Sequence, residues 1–216
     1  MMFSDFTLDE PERDALNAIS SKIHKPAKSR IYTQGEVARC LYLVSSGAVR
    51  LEYQREDGRN QIFAFLWSDN MFGTTENGVY RASAVTLIDT HLFQIPYPAL
   101  RALIDARPRI QTLFLQHALK YSRATQPHDL PATYPLVTKR LAGFLLECSK
   151  QADFFDRRSH ILTLAMDRKD IADYLGIALE TTSRTLKVLE DMDLIQRLSS
   201  QRMRIDTEQI RVMISR

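Results

Sequence analysis

Residues 167–194, DRKDIADYLGIALETTSRTLKVLEDMDL, constrain the fold of this chain more tightly than any other stretch. Ile171 and Leu175 lie one helical turn apart, so a helix through them buries that side, and the small Ala172 lets a second helix approach closely. Gly176 follows where the chain must turn sharply and a Cβ would obstruct it. Leu186 and Leu189 then return a second helix to the same core, leaving Glu180, Thr181, Ser183, Arg184 and Lys187 on its outer side. Those side chains suit base edges in a major groove. Arginine donates twice to guanine O6 and N7, a carboxylate accepts from cytosine N4, and serine meets a base edge or a thymine methyl. An amphipathic hairpin with merely solvated charges has the same apolar spacing but gives no reason for these readers to share one helix. The pattern implies a helix-turn-helix that binds double-stranded DNA. The methyl of Thr182 can fill apolar space while its hydroxyl bonds a carbonyl one turn back in the helix.

Upstream the periodicity changes. Arg30 to Gly35, Leu41 to Val44, Ala48 to Gln54 and Gln61 to Leu66 are short β-rich runs, separated by Gln34-Gly35-Glu36, Ser46-Gly47 and Asp57-Gly58-Arg59. They read as an antiparallel roll. A chain of 216 residues has room for this roll and a second modest domain. The net charge of +3 is too small to identify a nucleic-acid partner by itself. No apolar run approaches membrane-spanning length, and the beginning, MMFSDFTLDEPERD, is acidic and unlike a signal peptide, so a cytoplasmic protein with no membrane partner is expected.

Between the two regions runs a long helical pattern. Leu92 to Leu103 carries the chain out of the roll, and Pro108 suits the first position of a new helix, where its missing donor costs nothing. Ile110, Phe114, His117, Tyr121 and Ala124 then recur at heptad spacing. That stripe either pairs with its copy in a second subunit or packs on the roll of its own. Pro127, Pro131 and Pro135 should kink or stop the helix near Gln126. A helix from Pro135 to Lys150 opens the last domain, burying Leu136, Leu141, Phe144 and Leu145. Short strands surround His160 to Leu164, and Leu194–Arg197 with Arg202–Asp206 read as a winged hairpin whose Arg202 and Arg204 can meet phosphates.

The spacing of Tyr32, Gly35, Leu41, Tyr42, Gly47, Phe72 and Gly73 resembles a cyclic-nucleotide-binding-type β-roll. Together with the downstream motif, it makes the chain, from about Pro26 onward, similar to bacterial regulators of the family named for the cyclic-AMP receptor protein and the fumarate-nitrate regulator. Glu180-Thr181-Thr182-Ser183-Arg184 resembles the Glu-x-x-Ser-Arg reading set of the fumarate-nitrate and FixK branch. The resemblance implies an α+β fold: a β-roll over residues 1–105, a dimerisation helix and hinge over 106–130, and a winged helix-turn-helix over 131–216. It also implies a homodimer seamed by the heptad stripe, because paired reading helices match a palindrome. On TTGAT and ATCAA half-sites, Arg184 would read guanine, Glu180 the cytosine edge and Ser183 a thymine. Thr181 and Lys187 would lie alongside them, and Arg168 would meet phosphate. The implied output is activation through RNA polymerase, touched by the loop from Gln151 to Ser159.

Effector chemistry is harder to place. Cyclic-AMP-responsive relatives carry Phe-Gly-Glu and Arg-Ser-Ala around the nucleotide; here Thr74 follows Phe72-Gly73, and Arg81 precedes Ala82-Ser83. Gly73, Thr74, Arg81, Ala82 and Ser83 are thus the candidate effector pocket, stripped of its glutamate. Cys40 and Cys148 are the only cysteines, and none stands in the first 39 residues, so no iron-sulfur cluster is expected. His24, His91, His117, His128 and His160 offer axial haem ligands without a haem-specific spacing. No cofactor or metal is expected. Cys148 suits a small buried residue better than a redox switch. Scattered Asp153, Asp156 and Asp167 do not assemble into a catalytic site, and an enzyme is not expected. A receptor working only through its roll would need the intact nucleotide cassette and could spare the base readers, the reverse of what is present.

Overall fold

The computed structural model describes residues 9–55, 58, 60–75, 77–112, 114–115 and 137–215. The chain divides into two compact units, Met1–Pro127 and His128–Arg216.

The first unit begins with helix α1 (Glu10–Ile19), started by a reciprocal cap. The Asp9 carboxylate accepts from the Glu12 amide at 3.0 Å, and Glu12 accepts from the Asp9 amide at 3.1 Å. Eight strands follow: β1 (Ser21–Lys25), β2 (Arg30–Tyr32), β3 (Cys40–Ser46), β4 (Val49–Gln54), β5 (Asn60–Leu66), β6 (Met71–Phe72), β7 (Ser83–Thr86) and β8 (Thr90–Pro96). They form two antiparallel sheets, ordered β1-β8-β3-β6 and β2-β7-β4-β5. The turn between β3 and β4 requires glycine: Gly47 has φ 102°, and a Cβ there would lie 2.5 Å from Thr90 Oγ1 and 2.8 Å from the Asp89 carbonyl oxygen. Val44, Val49, Leu51, Leu66 and Leu92 pack with Tyr32, Tyr42, Phe72 and Tyr80 into one core.

The four runs read from sequence as β-rich are strands, with shifted ends. The first stops at Tyr32 because Thr33 to Glu36 turns, the Glu36 amide donating to the Thr33 carbonyl. The run from Leu92 to Leu103 is not one element. Its first half belongs to β8, hydrogen-bonded on both sides by β1 and β3, and helix α2 (Tyr97–Ala106) starts only after Pro96.

A second apolar cluster lies where α1, β3, β8 and α2 meet. It holds Leu16, Leu41, Leu43, Met71, Ile95, Leu100 and the fully buried Ile110, with Phe114 half-buried against them. Ile110 therefore packs inside its own subunit and has no surface left for a partner. This corrects the expectation that it belongs to an intersubunit seam: heptad spacing records that one side of a helix is covered, not by which chain. The neighbouring Arg109 reaches Asp9 (3.3 Å) and Glu12 (3.2 Å), and Arg107 donates to the Pro11 carbonyl, tying this helical segment to α1. Leu115 is 60% exposed. His117, Tyr121 and Ala124, and the three prolines beyond them, lie outside the described residues.

The second unit comprises α3 (Val137–Cys148), β9 (Phe155–Asp156), β10 (Ile161–Thr163), α4 (Arg168–Leu175), α5 (Leu179–Asp191), β11 (Ile195–Arg197), β12 (Arg202–Ile205) and α6 (Thr207–Ser215). Its antiparallel sheet runs β11-β12-β10-β9. Helix α3 buries Leu141, Phe144 and Leu145 and packs against α5 and α6. Cys148 is buried at the end of α3, and burial pushes its thiol well above the usual range, so it serves as packing rather than as a thiolate.

Ile110→Ala should destabilise the first unit by about 2–5 kcal/mol in denaturant unfolding, since it opens a cavity in a closed core. Gln111→Ala, on the exposed side of the same helical turn, should stay within about 0.5 kcal/mol of the parent. Equal effects would return Ile110 to the surface.

Candidate nucleic-acid interface

Helix α4 is held firmly at both ends. Asp167 caps its start, accepting from the Asp170 amide at 2.9 Å, while the buried Asp170 carboxylate accepts from the Asp167 amide. Its last turn closes on Gly176, in the left-handed conformation (φ 64°, ψ 38°), and the Ile177 amide donates to the Ala172 carbonyl at 3.0 Å. Arg140 of α3 donates to the Leu175 carbonyl just before this turn. A cation at the carbonyl end of a helix also matches the helix dipole.

Helix α5 is two-sided. Thr182, Thr185, Leu186 and Leu189 are buried, at the spacing of one helical face. The two threonines satisfy themselves one turn back: Thr182 Oγ1 donates to the Ala178 carbonyl at 3.3 Å and Thr185 Oγ1 to the Thr181 carbonyl at 2.7 Å. This is the role anticipated for Thr182; Thr185 plays it too, and was not singled out from sequence. On the other side Glu180 and Arg184 are exposed, with Thr181 and Ser183 half-buried. Ala178 at the helix start supplies no side-chain cap, which leaves the first-turn amides to water or to an incoming phosphate. Arg168, the first residue of α4, is half-buried.

Lys187 shares the face of Glu180 and Arg184 but is engaged within its own helix. Its Nζ lies 2.7 Å from Asp191 Oδ1 and 3.8 Å from Glu190 Oε2, and the hydrogen bond to Asp191 raises its pKa. Glu190 in turn clasps the wing. Its Oε1 accepts from the Arg197 amide at 3.2 Å, and its Oε2 from Arg197 Nε at 3.0 Å and Nη2 at 2.5 Å. This three-bond clasp, with both guanidinium donors on one carboxylate oxygen, joins the end of α5 to β11 and holds the Glu190 carboxyl at about 2, well below the usual carboxylate value. Sequence reading missed it because seven positions and a change of element separate the partners. Across the hairpin, Arg204 donates to Gln196 Oε1 at 3.0 Å, and Arg202 is exposed.

The candidate effector residues do not share one environment. Gly73, Ala82 and Ser83 are buried, whereas Thr74 and Arg81 are exposed. Ser83 Oγ already accepts from the Gln34 amide at 3.0 Å, and the Gly73 carbonyl accepts from Tyr97 Oη at 2.6 Å. Behind them the roll is filled by aromatics. Tyr32 stacks on Tyr80 with ring centres 3.7 Å apart, and Tyr42 stacks on Phe72 at 5.3 Å. Tyr80 Oη accepts from the Cys40 amide and donates to the Cys40 carbonyl, pinning the cassette to β3.

A helix-turn-helix with an outward reading face, a clasped wing and an N-terminal nucleotide-type roll defines a DNA-binding transcription regulator. Comparison with known proteins agrees. Residues 22–107 match the cyclic nucleotide-binding domain, and residues 139–211 match the Crp-like helix-turn-helix domain. The chain is 34% identical over 176 residues to the nitrogen fixation regulation protein FixK of Azorhizobium caulinodans, covering 81% of this chain and 71% of that protein. It is 30% identical over 178 residues to the cAMP-activated global transcriptional regulator CRP of Salmonella typhimurium, covering 80% and 84%. The structure of FixK2 from Bradyrhizobium japonicum superposes with a TM-score of 0.81 at 26% identity, over 90% of this chain and 96% of that one. The chain belongs to the CRP/FNR family, on its FixK branch. No helix among the described residues is long and apolar enough to cross a membrane.

Because the folded Glu190 carboxyl lies below its ordinary value of 4.5, the clasp's contribution is complete above that value and is lost as pH falls toward about 2. Glu190→Gln should therefore loosen the wing already at neutral pH, weakening DNA binding while keeping base preference. The double exchange Glu190→Arg with Arg197→Glu should restore part of the affinity. Wing amide exchange no faster in Glu190→Gln than in the parent would show that the clasp does not hold the wing.

Proposed function

We propose that the protein is a homodimeric activator that reads a FixK-type palindrome without needing a small effector. The observation that carries this reading is the division of α5 into a sealed inner face and an outward set of Glu180, Ser183 and Arg184. Arg184 grips guanine, Glu180 accepts from the cytosine edge, Ser183 meets a thymine and Thr181 borders them. Arg168 and the wing arginines Arg202 and Arg204 meet phosphates and set register. Lys187 contributes charge near the backbone from its pairing with Asp191. A single reading helix per chain needs a two-fold partner to cover both half-sites. With Ile110 committed to its own core, the outward Leu115 is the residue of this segment that a second subunit would meet.

Effector independence is supported by the filled roll and by Ser83 and Gly73 being used in internal bracing. The Salmonella relative is named as cAMP-activated, but the glutamate of the nucleotide cassette is replaced here by Thr74. The reading invokes neither haem nor an iron-sulfur cluster and assigns no catalytic step. Activation proceeds through contact with RNA polymerase. The loop from Gln151 to Ser159 is stiffened for such a role: Asp156 accepts from the Arg158 amide at 2.9 Å and from Ser159 Oγ at 2.6 Å. Such a regulator works in the cytoplasm, beside the chromosome.

Arg184→Ala should cost about 1–3 kcal/mol per half-site on the intact palindrome and little on a probe whose guanine is replaced. Arg168→Ala should weaken both probes alike and lower the salt slope by about one. Equal loss on both probes for Arg184→Ala would make it a backbone anchor and remove the FixK-type site.

A further inference from the structure

Two histidines on the roll take no part in reading DNA, yet the sheet sets them face to face. His24 of β1 stands directly opposite His91 of β8 in antiparallel register. Both are exposed, their ring centres lie 4.9 Å apart, and the ring planes are inclined at 42°. Ser46 Oγ lies 3.4 Å from His91 Nδ1. β1 is the edge strand of its sheet and hydrogen-bonds to β8.

We propose that His24 and His91 form a two-ligand site for a borderline transition-metal ion, of the class of Ni²⁺, Cu²⁺ or Zn²⁺, with water completing the coordination. Imidazole suits these ions, in contrast to Ca²⁺ and Mg²⁺, which take oxygen ligands. The ring-centre spacing matches that of two imidazoles on one ion. With a metal–nitrogen bond of about 2.0–2.1 Å and a ring centre about 1.1 Å behind the nitrogen, two imidazoles that meet one ion at about 100° have centres about 4.9 Å apart. That angle lies between the octahedral and tetrahedral values. Ser46 is placed for the outer support that such ligands usually have: in the tautomer whose Nδ1–H donates to the Ser46 hydroxyl oxygen, His91 keeps its Nε2 lone pair for the ion. Lys22 and Lys25 flank His24 in sequence and oppose a dication, so binding is weaker than at a closed four-ligand zinc site. A bound ion staples the edge strand to its neighbour.

The test uses the untagged full-length chain and Ni²⁺ alone, followed by calorimetry and by the histidine ring signals in NMR. One ion per chain should bind saturably and broaden the rings of His24 and His91 together. His24→Ala or His91→Ala should abolish saturable binding. Both residues are exposed, so these variants should keep the fold, checked by an unchanged unfolding midpoint in the absence of metal. Ser46→Ala should weaken binding by up to about ten-fold, and Cu²⁺ should bind more tightly than Ni²⁺ or Zn²⁺. Undiminished Ni²⁺ binding by the His24→Ala/His91→Ala double variant would overturn the site. So would broadening of only one of the two rings, or no binding by the parent at millimolar Ni²⁺.

Discussion

The inner face of α5 is the constraint on which the rest of the DNA-reading unit depends. Leu186 and Leu189 are buried and supply the apolar contact, but Thr182 and Thr185 set its terms. Their hydroxyls bond carbonyls of their own helix, so these polar residues enter the interior fully satisfied while their methyls pack. With that side sealed, helical geometry leaves Glu180, Ser183 and Arg184 no direction except outward. Other contacts then fix where the helix sits. Gly176 sets the turn before it, Arg140 holds the end of α4, and the Glu190–Arg197 pair ties its far end to the wing. A reading helix must be placed to a fraction of an ångström, because bidentate base recognition is steep in distance and angle. Three independent anchors on two neighbouring helices and a strand are a physical means to that end.

What was legible in the sequence follows from which signals are local. The helix-turn-helix could be read because its determinants, from Asp167 to Leu189, lie within a few helical turns of one another and obey one period. The β-runs were legible for the same reason, through alternation bounded by glycine turns. Their ends were not, because a strand stops where its partner stops. β8 reads as the beginning of a helix until β1 and β3 are seen hydrogen-bonded to both its edges. Ile110 shows the limit most clearly. Its spacing with Phe114 announced a covered stripe, and at these two residues the cover comes from Leu16, Leu100 and the roll of the same subunit. Within the site, the outward placement of Glu180 and Arg184 was legible from type and spacing. The ion pairs of Lys187 with Asp191 and of Glu190 with Arg197 were not legible, and Glu190 was not singled out at all.

The roll has the frame of a cyclic nucleotide-binding domain. Its match to a cyclic nucleotide-binding domain spans residues 22–107. Its interior is occupied by Tyr32, Tyr42, Phe72 and Tyr80, packed ring against ring. Burial raises the Tyr42 hydroxyl above its ordinary pKa, and the Tyr80 hydroxyl spends both its hydrogen-bonding roles on the Cys40 backbone. Such a core is closely packed and stabilises the unit by apolar burial.

The most direct measurement is a quantitative gel shift of freshly purified protein on a FixK-type palindrome. It should be done in air with no nucleotide added, after mass and absorbance measurements have shown no bound cofactor. Specific binding should appear at once and remain unchanged when cyclic AMP is added or oxygen removed. Binding that appears only with cyclic nucleotide, or only anaerobically with iron bound, would contradict the account.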